Sequence, residues 1–294
     1  MDMEAPLASS ALDAAVLPGL ASLERRRFRA PRALLALSTG VGMLPARLAE
    51  AERVPLGRVE GAPAPWSATV LHAGLLGRTA VWLCEDAPGP PEHGTSEPFG
   101  EPPWTRGYPC WLAAAAGAAV LVHVSAGVAL PGAHALEPGS LVLASDHLNV
   151  SGRTPLVGLG DSKLGPLFPD ASRLHHAGLR ARALELGGRL GVPVRESVVA
   201  CTLGPALETA GERLWWSKAG AGVAVQNLAT PLLAAAHAGL AVLAIVAVTD
   251  RGEGIEDVGA LVAQAERLAP AIDDLLVALA PDLEAAAEAL GVEP

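Results

Sequence analysis

Three short stretches combine residue types and spacing that could do chemistry. In the first, Ser38-Thr39-Gly40-Val41-Gly42 follows a strand-like apolar run at 32–37. A strand that enters a glycine-rich turn and then a helix exposes backbone N–H groups at the helix N-terminus. Two hydroxyls beside them complete an anion site, the alternative being an ordinary tight turn. No Gly-Lys-Ser/Thr follows, so the turn is not a nucleotide P-loop. In the second, Glu208 stands in Gly204-Pro205-Ala206-Leu207-Glu208-Thr209, after a predicted strand. A carboxylate in the crevice at the carboxyl edge of a sheet can accept two hydrogen bonds from adjacent N–H groups of a planar heterocycle. Its bland reading is an acidic residue favoured by a helix dipole. In the third, Asp250 closes the apolar run LAVLAIVAVT. It is either a ligand-binding side chain at a strand's carboxyl end or a loop cap.

The histidines are less specific. His72 lies in Leu71-His72-Ala73-Gly74 and reads alone as a hydrogen-bonded structural residue. Ser145-Asp146-His147-Leu148-Asn149 offers a metal-binding or catalytic cluster, or polar groups that cap a strand end, which is the simpler reading. His175 and His176 are adjacent at a predicted helix start, so their imidazoles face different directions and do not form a ligand pair. Cys84, Cys110 and Cys201 are widely spaced and odd in number, which gives neither a disulfide framework nor a CxxC zinc pair. No metal is expected, and the cysteine usage suits a reducing, cytoplasmic compartment.

These groups must be held by elements that the pattern also predicts. Strands are expected at 32–37, 69–70, 79–83, 119–124, 140–144, 194–201, 222–225 and 242–248. Continuous apolar runs such as AAVLVHV suit strands covered on both faces. Helices are expected at 43–51, 109–118, 172–190, 210–219, 230–238, 257–279 and 282–290, after an amphipathic first helix. The alternation implies an α/β protein with one mixed sheet. With no repeat and no charge-run linker, 1–294 reads as a single domain, 1–30 being a helical extension. Residues 86–109 are crowded with Pro and Gly and read as a lid or a disordered loop.

Composition removes whole classes of function. Lys and Arg number 21 against 31 Asp and Glu, a net charge of −10, and no basic tract is present for nucleic acid. The apolar fraction of 51% excludes a disordered chain. The apolar runs at 111–122 and 240–248 fall short of the ~20 residues that a spanning helix needs, so no membrane association is expected. Aromatic residues make up only 3%, which leaves few rings to stack on a planar ligand.

Read in order, these pieces resemble the trimeric purine nucleoside phosphorylase family, which includes the methylthioadenosine phosphorylases. Ser38–Gly42 is similar to its G-S-G-L-G turn and His72-Ala73-Gly74 to its G-H-A-G. Gly107-Tyr108-Pro109 resembles E-G-Y-P, and Ser125-Ala126-Gly127 resembles N-A-A-G-G. LASDHLN at 143–149 is similar to L-I-x-D-H-I-N, and Pro155-Leu156-Val157-Gly158 to N-P-L-x-G. GPALET at 204–209 resembles G-P-x-F-E-T. Val248-Thr249-Asp250 resembles a strand that ends I-T-N or, in the methylthioadenosine branch, A-T-D.

The resemblance implies a three-layer α/β/α sandwich around a twisted mixed sheet, assembled as a homotrimer. The reaction it implies is phosphorolysis, in which phosphate attacks the anomeric carbon of a purine nucleoside and releases base and sugar 1-phosphate. Phosphate is then a co-substrate and no cofactor is needed. On this reading Ser38, Thr39, His72 and the amides near Ser125 and Ala126 touch phosphate. Glu208 holds the base edge, and Asp250 meets N7 and the 6-substituent, which favours 6-aminopurines. Gln226 and Asn227 occupy the positions that contact ribose and phosphate.

The resemblance also implies losses. The family's R-F-H-x-Y before G-Y-P becomes Glu101, Pro103 and Thr105 at its Arg, His and Tyr, with Arg106 or His93 as candidate substitutes. Leu207 stands where the family stacks a Phe, Leu164 where a neighbouring subunit contributes an aromatic, and Val258 where a His meets the ribose 5′-hydroxyl. Two alternatives therefore accompany the phosphorylase: a catalytically impaired homologue that binds nucleosides or serves structurally, and a hydrolytic nucleosidase.

Overall fold

Five consecutive buried aliphatic residues, Ala33–Leu37, form β1 inside a nine-stranded mixed sheet. Their alternation sets up the layers, because successive strand side chains face opposite ways. Leu34 and Ala36 join one apolar core, while Leu35 and Leu37 join a second on the other face. The computed structural model describes residues 10–38, 42–85, 101–132, 136–251 and 258–291.

The strands that follow are β2 (Ala49–Pro55), β3 (Val70–Leu76), β4 (Thr79–Glu85), β5 (Val120–Ala129), β6 (Leu141–Asn149), β7 (Val194–Thr202), β8 (Ala221–Gln226) and β9 (Ala241–Asp250). Their order across the sheet is β2-β3-β4-β1-β5-β8-β7-β6-β9, with β5 also pairing β9. The helices are α1 (Ala11–Arg25), α2 (Tyr108–Ala115), α3 (Ala177–Leu190), α4 (Ala210–Lys218), α5 (Ala229–His237) and α6 (Val258–Ala289). Leu12 and Val16 of α1, Trp111 of α2 and Leu232 of α5 pack into the first core. Leu179 of α3 and Ile272, Leu276 and Leu283 of α6 pack into the second. Helices thus cover both faces, giving the expected α/β/α sandwich.

Several elements depart from the sequence reading. Residues 43–51 were expected to be helical, but only Leu44–Arg47 turn, in a 3-10 helix, before β2 begins at Ala49. The AEAER stretch has good helix formers; antiparallel pairing with β3 overrides that weak preference. The helix expected from 172 begins only at Ala177. The helices expected at 257–279 and 282–290 are one, α6, which carries Pro270 and Pro281 inside it. Its buried face continues through Ile272, Leu275, Leu279 and Leu283, so packing against the second core carries the helix past both prolines. Of the expected loop 86–109, residues 86–100 lie outside the described residues. Pro103–Gly107 form a 3-10 turn that leads into α2. Among the described residues no helix is long and apolar enough to cross a membrane.

Candidate functional site

Ser38, Ser125, Asp250, Gln226 and Glu208 lie on or beside strands linked by pairing, β1 with β5, β5 with β9 and β8, and β8 with β7. Ser38 lies one residue beyond β1, and both its amide and its hydroxyl donate to the Val124 carbonyl of β5 at 2.9 Å. Thr39, Gly40 and Val41 lie outside the described residues, and so does His93. The turn resumes at Gly42, whose φ of +49° suits glycine. There the Met43 amide donates to Asp273 Oδ2 of α6 at 2.8 Å. A Cβ on Gly42 would come within 2.6 Å of that same oxygen. The turn is therefore anchored to β5 at one end and to α6 at the other. Burial raises the Asp273 pKa, an effect that the Met43 hydrogen bond and Arg47 oppose.

Beside Ser38 on β5, Ser125 is buried and its hydroxyl lies 3.0 Å from His123 Nδ1, while Ala126 is half-buried. The Ser125 hydroxyl is thus engaged within the core, which leaves the backbone of this stretch as the group able to meet a ligand. Three residues along, Val128 pairs with Asp250 of β9 and with Ala224 of β8. Thr249 Oγ1 donates to the Gly127 carbonyl at 3.2 Å. Arg213 of α4, which the sequence reading did not single out, is buried and donates to the carbonyls of Ala129 and Arg251, each at 2.7 Å. It ties the ends of β5 and β9 together beside Asp250.

The Glu208 turn is held by the ends of β7 and β8. Glu208 is half-buried, and Thr202 at the end of β7 donates to its Oε1 at 3.1 Å. Gln226, paired with Thr202 at the end of β8, donates from Nε2 to the Ala206 carbonyl at 3.1 Å. Gly204 is required at this closure: its φ is +67°, and a Cβ there would lie 2.1 Å from Gln226 Oε1. Asn227 is exposed, takes a left-handed φ of +61°, and donates its amide to the Thr202 carbonyl at 3.0 Å. Thr209 and Glu212 form a capping box that starts α4 just past Glu208. From Ser38 through β5 and β8 to β7 the ladder crosses three strand spacings, about 14 Å, a span that suits a phosphate and a nucleoside laid end to end.

His72 sits on β3, directly opposite Arg53 of β2 and Leu83 of β4. It is half-buried, and its pKa is lowered by burial first and by the Arg53 charge second, with Glu85 acting the other way. His72 is therefore neutral at pH 7, and the cation on this flank is Arg53. The sequence reading placed residue 53 outside any element. The signal that finds it is the β2–β3 register.

The positions at which the resemblance implies losses are distributed as follows. Leu207 is 44% exposed, with no aromatic ring in its place. Leu164 packs against the first core, whereas Phe168, four residues on, is 89% exposed. Thr105 is buried with its hydroxyl on the Pro102 carbonyl, and Tyr108 is fully buried. Neither supplies a surface for a ribose. Arg106 is half-buried. Val258 begins α6. His175 and His176 diverge as expected: His176 Nδ1 accepts from the Leu179 amide and caps α3, while His175 turns toward His147.

A family model described as the phosphorylase superfamily matches residues 36–280, most of the chain and every element named above except α1 and parts of β1 and α6. The chain belongs to the phosphorylase superfamily. Its curated relatives include purine nucleoside phosphorylase 1 of Geobacillus stearothermophilus, 37% identical over 121 residues, which are 41% of this chain and 44% of that protein. The purine nucleoside phosphorylase of Mycobacterium leprae is 34% identical over 148 residues, 50% of each chain. The chain thus matches about half the length of these relatives. Among solved structures, isoform 2 of the Schistosoma mansoni purine nucleoside phosphorylase, in complex with cytosine and ribose-1-phosphate, aligns with a TM-score of 0.81 at 20% identity. That alignment covers 92% of this chain and 97% of the other. Superfamily membership accounts for the mixed sheet with helices on both sides, and its named relatives are enzymes of nucleoside phosphorolysis.

Proposed function

We propose that this superfamily member is a purine nucleoside phosphorylase that cleaves the N-glycosidic bond with inorganic phosphate to give free base and (deoxy)ribose 1-phosphate. The observation that carries this reading is the ladder joining the anchored turn at Ser38 to the Thr202-held Glu208 and to Gln226. In the reaction the bond between the anomeric carbon and the base nitrogen breaks, its electron pair leaves with the base, and a phosphate oxygen bonds to the anomeric carbon. The transition state is oxocarbenium-like, so the protein must place phosphate beneath the sugar and stabilise negative charge on the purine.

Glu208 orients the base through its N–H edge, and Asp250 receives N7 and the 6-substituent. A charged Asp250 accepts from a 6-amino group, and a neutral one donates to N7, so 6-aminopurines are substrates. Gln226 and Asn227 lie against the sugar and the phosphate. The positions that carry the family's phosphate-binding Arg and His hold Glu101 and Pro103, and Arg53 beside His72 supplies the positive charge instead. No cofactor takes part, and the working form is a cytoplasmic homotrimer.

The exposed Leu207 and the buried Tyr108 favour a second reading, a nucleoside-binding homologue without turnover. Release of base from inosine, guanosine, adenosine and methylthioadenosine, with and without phosphate, separates the possibilities. Phosphate-dependent release supports the phosphorylase. Phosphate-independent release means a hydrolase, and no release with measurable nucleoside binding means the second reading.

A further inference from the structure

Away from the proposed nucleoside site, two histidines 28 residues apart in sequence meet. His147 Nδ1 of β6 lies 3.1 Å from His175 Nε2, with the rings 5.3 Å apart between centroids. Asp146 Oδ1 lies 4.0 Å from His147 Nδ1, and one ligand atom from each of the three residues falls within 4.8 Å of the others. We propose that Asp146, His147 and His175 form a binding site for one divalent late transition-metal ion of the zinc type.

The local structure is built to bring these groups together. Consecutive residues of a regular strand point to opposite faces, but β6 is irregular between Ala144 and Asp146, where Ser145 has no partner on β7. The irregularity breaks the alternation, and Asp146 Oδ1 accepts from the His147 amide at 2.7 Å, which holds the carboxylate beside the imidazole. On the other side, His175 is fixed by a bridge to Val242 of β9, and the His176 amide donates to the Val242 carbonyl at 2.9 Å. The ring of His175 is only 8% exposed and its backbone is clamped, so the pair meets across β6 and the segment before α3 without help from a mobile side chain.

The 3.1 Å separation is short enough for a ring N–H···N hydrogen bond, and it is also the distance set by a shared ion. Two nitrogens each about 2.05 Å from one metal stand 3.1 Å apart at an angle of about 98°, between the octahedral and tetrahedral values. His175 Nδ1 is buried with no partner among the described residues, so Nε2, which faces His147, is the nitrogen the ring presents to an ion, and the irregularity of β6 brings Asp146 and His147 to the same point.

The charge around the site is consistent with this role. Arg180 donates to the His175 carbonyl and is itself paired with Glu196 at 2.7 Å, which leaves the exposed Asp146 as the anion that faces the ion. Imidazole and carboxylate ligands suit zinc or cobalt more than calcium or magnesium. With three protein ligands and Asp146 at the surface, the fourth position is open to water. The ion would tie β6 to the segment that leads into α3. The assignment is independent of the phosphorolysis reading, because none of its residues is placed on nucleoside or phosphate.

The test is titration of the chelator-treated full chain with Co2+, read by visible absorption, and with Zn2+ in competition with a chromophoric chelator. The expected result is one ion per chain with micromolar or tighter affinity, weakened at least tenfold in His147→Gln and His175→Gln and unchanged in His72→Gln. Absence of stoichiometric binding by the unmodified chain overturns the assignment. So does binding that keeps its affinity in His175→Gln. If His175→Gln does not fold, Asp146→Asn at the exposed position decides instead: a weakened affinity and a smaller Zn2+-induced rise in Tm support the site, and values equal to those of the unmodified chain overturn it.

Discussion

Replacing Gly204 by Ala perturbs the proposed base site at a single point whose consequences follow from the structure. The backbone there has φ +67°, where an L-residue costs about 1 kcal/mol relative to glycine. The new methyl would lie 2.1 Å from Gln226 Oε1 and 2.6 Å from its Cδ, so the amide must swing away. That movement breaks the hydrogen bond from Gln226 Nε2 to Ala206, a net loss of about 1 kcal/mol. The total is about 2 kcal/mol. For 294 residues the unfolding entropy is about 0.6 kcal/mol per degree, so Tm falls by roughly 3 °C. Activity should fall further than stability, by about tenfold or more in kcat/KM, because the same turn carries Glu208 and displaces Gln226, both assigned to the nucleoside in the proposed function.

A double-mutant cycle with Gln226→Ala isolates the overlap, since that variant removes the clash but leaves the backbone strain. The two changes together should destabilise by about 1 kcal/mol less than their sum. Thermal and urea unfolding of the four proteins, beside nucleoside turnover, supply the data. Strict additivity, or a Gly204→Ala chain within 1 °C of the original, would refute the packing argument.

The other expectations can be stated together. Glu208→Gln keeps the shape but removes the charge that Thr202 supports, and kcat/KM should drop by roughly 10²–10³-fold, with the KM for phosphate little changed. Asp250→Asn should shift relative turnover from adenosine toward inosine; an unchanged ratio would remove Asp250 from base selection. His72 is held neutral, with a folded pKa below the usual 6.5. The stability this contributes is complete above pH 6.5 and is lost as the pH falls through the folded value, so His72→Gln should lose less stability than the unmodified chain between pH 7.5 and 5.5, as urea midpoints would show. Thr209→Ala opens the capping box at the start of α4 and should cost about 1 kcal/mol in chemical denaturation.

What could be read from the sequence depended on whether the deciding interaction was local. β1 and β9 were visible because each is an apolar run long enough to cross a core covered on both sides. The start of α4 was visible because Thr209 stands at its cap. β2 was not visible, since its residues prefer helix and become a strand only through partners around residue 72. For the same reason Arg53 escaped notice, as its neighbour His72 is 19 positions away. The Glu208 turn was legible in the order of its residues, but the exposure of Leu207 and the burial of Tyr108 depend on packing that no local pattern records. The pair His147 and His175 was judged from neighbours in sequence, whereas β6, β9 and the Val242 bridge decide who meets whom.

The anchoring of Met43 by Asp273 spans 230 positions of the chain. During synthesis the N-terminal strands and the turn after β1 leave the ribosome long before the carboxylate that fixes Met43 exists. Anchoring of the turn's distal end at Met43 must therefore wait until most of α6 has emerged and packed. A nascent chain interrupted before residue 273 can form much of the sheet yet lacks this anchor, so Gly42 and Met43 would be among the last residues at this edge to be fixed in place.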